Sequence, residues 1–271
     1  MSNILTLGAG SNIVTPTQIY NVLQSAMRKT LVWRNLAAIV IPPAGIPGSA
    51  VFIPLQDVDA IEVHQVAEGA EAPMDSETYA RRTITPLKYM VNIGITKEMV
   101  EDSQFAVITL NTQTAGYALA KNEDSLVETN LSANAGTTVA LAGAVLSYSD
   151  IPQAMKALES NNFVPRAFVI STDFAEDIRN MDTFVEADKA GITDPSKRLI
   201  GTMFGMTIVI STNLTANTGY VIDPDHSFAI GEKRVVSLEG FDDIRRDMHH
   251  IVASQRVAVS YLWANATCKI A

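Results

Sequence analysis

The densest group of chemically capable side chains lies in EGAEAPMDSE, residues 68–77. Glu68, Glu71, Asp75 and Glu77 fall there in one short stretch, and Arg81 and Arg82 follow. Paired carboxylates can do general acid–base work, but only with a second proton carrier and a rigid frame. No histidine or lysine is interleaved with these acids, and glycine, proline and small residues surround them. Acids at a tip and arginines at its base fit complementary contact with a second copy better than catalysis. The four histidines, His64, His226, His249 and His250, make no ligand set. The last two are adjacent and would face opposite ways on a strand. His226 follows Asp223-Pro224-Asp225, a pattern of turns more often than of calcium sites. Cys268 is alone, so no disulfide within the chain and no cysteine-rich zinc site is possible, and a packed thiol is expected. Gly8-Ala9-Gly10 lacks the preceding strand a dinucleotide loop needs. No nucleophile elbow and no phosphate loop occurs. No catalytic residue, metal or cofactor is expected. A cytosolic α/β hydrolase or transferase remains as a contrasting reading, and it would require a pocket with at least two convergent titrating groups.

Bulk properties point the same way. The chain has 271 residues, 47% of them hydrophobic, enough for one large core or two smaller ones. Only 18% are charged, which suits a protein that covers surface with copies of itself, or equally a deeply buried single-domain enzyme. The net charge of -9 argues against a dedicated nucleic-acid binder, which needs clustered Lys and Arg. A container for nucleic acid needs no such grip. No run of 18 apolar residues and no signal-peptide pattern is present, so synthesis in the cytosol is expected.

These groups need elements to position them. The longest is a helical stretch from Thr96 to Leu131, with Thr96 as cap and Lys97, Glu98 and Met99 in the first turn. Met99, Ala106, Leu110, Tyr117, Ala120, Val127 and Leu131 recur at helical spacing and predict its buried face. Val107-Ile108-Thr109 and Gly116 threaten its continuity. Unbroken, it would run about 50 Å, roughly the diameter of a compact globule of this chain length. Such a spine suggests a flat subunit. Asp124 falls on the apolar stripe beside Glu123; it is either a buried partner for an arginine or, as we expect, a mark of a fraying or turning helix.

Before the spine, residues 1–16 read as an extended arm and Gln18–Leu36 as a helix. Arg28, Lys29 and Arg34 there form the most basic part of the chain, either a solvated face or a contact with a neighbour. Residues 39–54 are punctuated by proline. From there to Ile95 the pattern predicts a long two-stranded projection. Ala50–Pro54 and Ile61–Ala67 lead outward, and Leu87, Tyr89, Val91, Ile93 and Ile95 alternate on the return strand. After the spine, strands at 167–170, 206–210, 220–222 and 228–230 alternate with helices at 149–160 and 171–181, an α/β unit over about 140–230. Strands at Arg234–Leu238, Ile244–Met248 and His250–Tyr261 close the chain.

This layout resembles the major capsid proteins of tailed viruses, the Hong Kong ninety-seven fold. Ile84-Thr85-Pro86-Leu87-Lys88 through Ile95-Thr96-Lys97-Glu98 is similar to the family's passage from extended loop to spine. Asn122-Glu123-Asp124, Phe168-Val169-Ile170-Ser171-Thr172, Leu199–Ser211, and Arg245-Arg246 through Arg256-Val257-Ala258-Val259 resemble its later segments. The resemblance covers about residues 12–271. Some members join subunits through a loop lysine; no lysine lies between Lys29 and Lys88 here, so that chemistry is not expected. Some carry a cleaved scaffolding segment; with Met1 leading straight into the arm, scaffolding is expected to be separate or unneeded.

The resemblance implies an α+β fold. Its parts are an N-terminal arm and helix (1–37), an extended loop (50–87), a peripheral spine domain (38–49, 88–138 and 232–271) and an α/β apical domain (139–231). It implies a bacteriophage shell subunit forming hexamers and pentamers of an icosahedral virion capsid around double-stranded DNA. Expected partners are copies of itself, with scaffolding, portal and decoration proteins, and no membrane; expected synthesis is in host cytoplasm. Glu68, Glu71, Asp75, Glu77, Arg81, Arg82, Leu87, Tyr89, Arg28, Lys29 and Arg34 become expected subunit-interface residues. An encapsulin-type shell around a cargo enzyme is the alternative with the same fold.

Overall fold

The computed structural model describes residues 31–46, 48–56, 61–71, 73–76, 79–102, 107–143, 145–181 and 201–271. The arm, most of the expected 18–36 helix, Arg28, Lys29, Glu77, Ala106 and residues 182–200 lie outside the described residues.

The described residues form three sheets. Strands β1 (Ile39–Ile41), β10 (Phe228–Asp243), β11 (Met248–Tyr261) and β4 (Leu87–Thr96) make a four-stranded sheet in the order β1-β10-β11-β4. Strands β2 (Val51–Gln56) and β3 (Tyr79–Ile84) pair only with each other. Strands β5 (Thr137–Val139), β12 (Thr267–Ile270), β9 (Gly219–Ile222), β6 (Ala167–Ile170), β8 (Met206–Ile210) and β7 (Thr202–Met203) form the third sheet in that order. The helices are α1 (Lys97–Asp102), α2 (Val107–Asn134), α3 (Asp150–Glu159) and α4 (Thr172–Asn180).

The spine begins as its sequence predicts, with the Met99 amide donating to Thr96 Oγ1 at 3.3 Å. Helix α2 alone is 28 residues, about 42 Å at the α-helical rise. Its buried face differs from the predicted stripe. Ala120, Val127 and Leu131 are buried, but Met99, Leu110 and Tyr117 are exposed, and Thr112, Ala115 and Leu119 complete the inner face. The sheet it meets sets that face: Ala115, Leu119 and Ala120 pack on Ala253 and Val236, with Val91 and Ile93 beside them.

The alternation of β4 is as read, but its partner is not. It pairs antiparallel with β11, Ile95 opposite His249 and Leu87 opposite Val257. The return strand of the projection is instead β3, in register from Val51–Ile84 to Gln56–Tyr79. Residues 61–67 form no strand. Two further readings are corrected. Residues 244–247 are the turn joining β10 to β11, with Asp247 in the left-handed region at φ 52°, rather than a strand. The last strand, β12, leaves the spine side and lies between β5 and β9. The expected break between Ile230 and Arg234 is a pair of register shifts within one continuous strand, β10.

The six-stranded sheet is covered on both faces, so all four residues of β6 are buried. Phe168 and Ile170 meet Ile151, Leu158, Phe174 and Ile178 of α3 and α4. Ala167 and Val169 point the other way, into a core shared with Val127 and Leu131 of α2 and with Trp33. Ser171 caps α4 by accepting from the Phe174 amide. The two-stranded projection is held at its base. Ile84 and Leu55 are buried with Ala229 and Leu262, and a Cβ on Gly231 would stand 2.6 Å from Ile84 Cγ2. Only glycine allows β10 to approach the ribbon this closely.

Candidate functional site

Two regions concentrate the polar and exposed apolar groups. The first is the projection beyond the β2–β3 ribbon. Residues 61–71 and 73–76 are exposed throughout, with a turn at Glu68-Gly69 in which the Ala70 amide donates to the Ala67 carbonyl at 3.0 Å. Gly69 has φ 82°, which a side chain would strain. Glu68 and Glu71 face water there. Asp75 does not stand free among acids: His64 Nε2 lies 3.1 Å from both of its carboxylate oxygens, and the Glu62 amide donates to Oδ2 at 3.2 Å. The expectation that no histidine accompanies these acids is therefore corrected. The His64 hydrogen bond, aided by the Glu62 amide, holds the Asp75 carboxyl below its ordinary range. This clasp ties the two sides of the tip together.

Arg81 and Arg82 lie on β3, at the base. The Arg81 guanidinium sits over the Phe52 ring at 4.9 Å. Arg82 stacks on Tyr261 at 4.0 Å and donates from Nε to the Leu262 carbonyl at 3.3 Å, so it fastens the ribbon to its own sheet. Leu87 is 59% exposed, whereas Tyr89 packs inward beside the core of Trp33 and Phe228.

The second region is a buried junction where residues 31–37 meet α2 and β10. Trp33 opens a single 3-10 turn, Trp33–Leu36, is 1% exposed, and meets Tyr220 and Phe228 edge-on at 5.7 and 6.0 Å. Asp124 on α2 receives hydrogen bonds from the Val32 and Trp33 amides, both at 3.4 Å, and from Asn213 Nδ2 at 3.2 Å. The helix neither frays nor turns there, contrary to expectation; the carboxylate accepts from backbone amides and an asparagine rather than from an arginine. Burial pushes the Asp124 carboxyl up, and those three donors pull it back. Arg34 is neither a solvated charge nor free for a neighbour: it binds Glu232 of β10 at 2.6 Å and reaches Glu123 of α2 at 3.7 Å. Burial pushes Glu123 up to about 7; Arg34 opposes this, and Glu232 and Asp124 add to it.

The adjacent pair Glu123-Asp124 on an apolar stripe was the sequence signal for this junction. Its partners come from segments roughly ninety residues away on either side, and no local pattern reveals them. Replacing Asp124 with alanine strands two backbone amides and the Asn213 side chain. We expect a loss of about 2–4 kcal/mol in urea denaturation, given the cost of buried donors left without acceptors.

Among the described residues, no group of three or more His, Cys, Asp or Glu is placed to hold a metal. Cys268 is buried in the core between α3 and the six-stranded sheet, and that burial raises its thiol to about 11. His249 and His250 are parted as expected, His249 bonded to Asp242 and His250 to Asn92 while stacked on Phe241. His226 bonds Asp223 at 2.9 Å within a turn.

A long helix on one sheet, a two-stranded loop projecting from that sheet, and an α/β unit at the far end of the helix define the Hong Kong ninety-seven shell fold. Solved structures agree on the fold. A chain of Mycobacterium phage Che8 superposes with a TM-score of 0.72 at 18% identity, covering 89% of this chain and 91% of that one. The mature capsid of bacteriophage PhiM1 gives 0.70 at 13% identity, covering 89% and 86%. A virus-like particle from Pyrococcus furiosus gives 0.68 at 12% identity, covering 96% and 100%. A search of curated proteins finds no match. The family model described as phage capsid protein matches residues 80–261, and the chain belongs to that family. It is a structural shell protein, not an enzyme.

Proposed function

We propose that the chain forms the hexamers and pentamers of an icosahedral phage shell enclosing double-stranded DNA, with the loop 50–87 laid over an adjacent subunit. The observation that carries this is the loop's exposed apolar surface. Val63 and Met74 are 101% and 96% exposed, with Ile61 at 59%, beyond a ribbon whose strands have no third partner among the described residues. Apolar side chains held out on a marginal two-stranded ribbon are stabilised when another surface covers them. Glu68, Glu71 and Asp75 at the tip, with Arg81 and Leu87 nearer the base, form the polar and apolar parts of that contact. Glu77, Arg28 and Lys29 belong to it on sequence grounds alone. Arg34, Arg82 and Tyr89 act from within, fixing the segment, the loop base and β4. Residues 1–37, 38–49 with 88–138 and 232–266, and 139–231 with β12 serve as arm, spine unit and apical unit. Each contact can be weak because a closed shell repeats it many times. The net charge of -9 limits tight sticking to packaged DNA. Separate scaffolding, portal and decoration proteins would complete the particle, assembled in host cytoplasm.

A second reading, an encapsulin-type shell around a cargo protein, is favoured by the similarity to the virus-like particle from Pyrococcus furiosus over nearly the full length of both chains. One experiment separates the two. Particles purified from producing cells are imaged by electron microscopy and their contents measured. Nuclease-protected double-stranded DNA supports the first reading and a stoichiometric enclosed protein the second. A chain that stays monomeric at high concentration, with or without co-produced scaffold, refutes both.

A further inference from the structure

Among the described residues, three carboxylates and the one guanidinium that pairs with them meet at the 31–37 junction. Glu123 and Asp124 come from α2, Glu232 from β10 and Arg34 from the 3-10 turn. The charges do not balance, and the geometry is uneven as well. Arg34 binds Glu232 at 2.6 Å and stands 3.7 Å from Glu123 Oε1, which accepts no hydrogen bond although its side chain is only 2% exposed. Among the described residues, Arg234 of β10 is a further cation on these walls, and its Nη2 donates to Ser254 Oγ of β11 at 2.8 Å rather than to a carboxylate. The turn after β8 contributes Asn213 to Asp124. Strand β11 packs along α2 with Ser254, Gln255 and Ser260 as its buried polar residues, while β4 adds Tyr89 and leaves Lys88 exposed. An ionised Glu123 is thus a buried charge with a distant, shared partner, an arrangement that low dielectric penalises.

The walls of this site are unequal. Helix α2 and strands β10 and β11 are knit together by long ladders and shared cores. Residues 31–37 are one short turn, fastened by Trp33, the two amides on Asp124 and Arg34. Water can reach Glu123 at least cost by displacing that turn.

We propose that Glu123 is a proton-operated catch: protonated, it lets residues 31–37 lie closed on α2 and β10, and ionised, it drives that segment open to water. Desolvation is the largest influence on Glu123, so the sign follows from it. The folded carboxyl sits near 7 against an ordinary 4.5. The closed state is fully favoured below the ordinary value and loses stability as pH rises through about 7. The shell reading matters only for the consequence, because this segment leads from the arm into the spine unit. The catch itself can be read on unassembled protein.

The test uses the full chain carrying Trp263→Phe, which leaves Trp33 as the only tryptophan. Acrylamide quenching of Trp33 and amide exchange at Val32 and Trp33 are followed from pH 5 to 8.5. We expect both to report opening with a midpoint near 7. After correction for intrinsic exchange, the opening equilibrium should grow by up to about 10²-fold, the ratio set by the Glu123 displacement. Glu123→Gln should keep the closed, low-pH values at pH 8. Glu232→Gln, which removes a neighbouring like charge, should move the midpoint down. No opening in the parent, or opening that persists unchanged in Glu123→Gln, overturns the catch; so does an unmoved or raised midpoint in Glu232→Gln. Failure of the catch with intact shells leaves the shell reading standing. A working catch in a chain that never assembles refutes the shell reading alone.

Discussion

Replacing residues 57–78 with a two-residue turn yields subunits that fold and do not close into shells. The cut falls just beyond the last ribbon pair, Gln56 opposite Tyr79. Everything that anchors the loop base stays: Ile84 and Leu55 in their cluster, Arg82 on Tyr261, and the close approach at Gly231. The exposed Ile61, Val63, Val66 and Met74 go. None of them belongs to a core cluster of the subunit, so the urea midpoint of the isolated subunit should shift little. Assembly should fall from closed particles to none in negative-stain images. Normal particles from this variant would remove the loop from the assembly contact, and an unfolded variant would show that the tip supports its own subunit.

Trp33→Ala produces the largest loss of stability expected from a single side chain. Trp33 sits between Tyr220, Phe228, Val127 and Leu131, where the six-stranded sheet, the end of the spine and the start of β10 come together. Removing a large aromatic side chain from such a site costs about 3–5 kcal/mol, the sum of lost transfer energy and an unfilled cavity. The amides of residues 32 and 33 should also exchange faster, since the turn they belong to loses its anchor. Trp33→Phe, which fills part of the space, should recover a substantial fraction of the urea midpoint. If alanine costs less than about 1 kcal/mol, the junction is not a packed core.

Local chemistry was legible along much of the chain. Thr96 as a cap, Ser171 as a cap, the alternation of β4 and the α/β order around β6, β8 and β9 all follow from short-range patterns, and the structure has them. Partner choice was harder. The alternating residues of β4 suited a ribbon or a sheet equally, and only the distant β11 decides between them. The spine stripe failed in a telling way. Leu110 and Tyr117 are larger than Thr112 and Ala115, yet they point outward because the helix turns Ala115, Leu119 and Ala120 onto the sheet. Hydrophobicity ranks residues by their affinity for any interior, whereas the rotation of the helix on its sheet decides which of them reach this one. Asp124 and Arg34 were misread for a related reason, since their partners lie far off in sequence. The outward residues of α2 also match a subunit whose surface is meant to be covered.

The placement of β12 sets a timetable for synthesis. Cys268 pairs with Thr137 on one side and Val221 on the other, so among the described strands β5 has no neighbour in its sheet until residues 267–270 have left the ribosome. Until then the nascent sheet stops at β9 with one edge bare, and such an edge invites pairing with other chains. The apical sheet is therefore completed only when residues 267–270 take their place between β5 and β9.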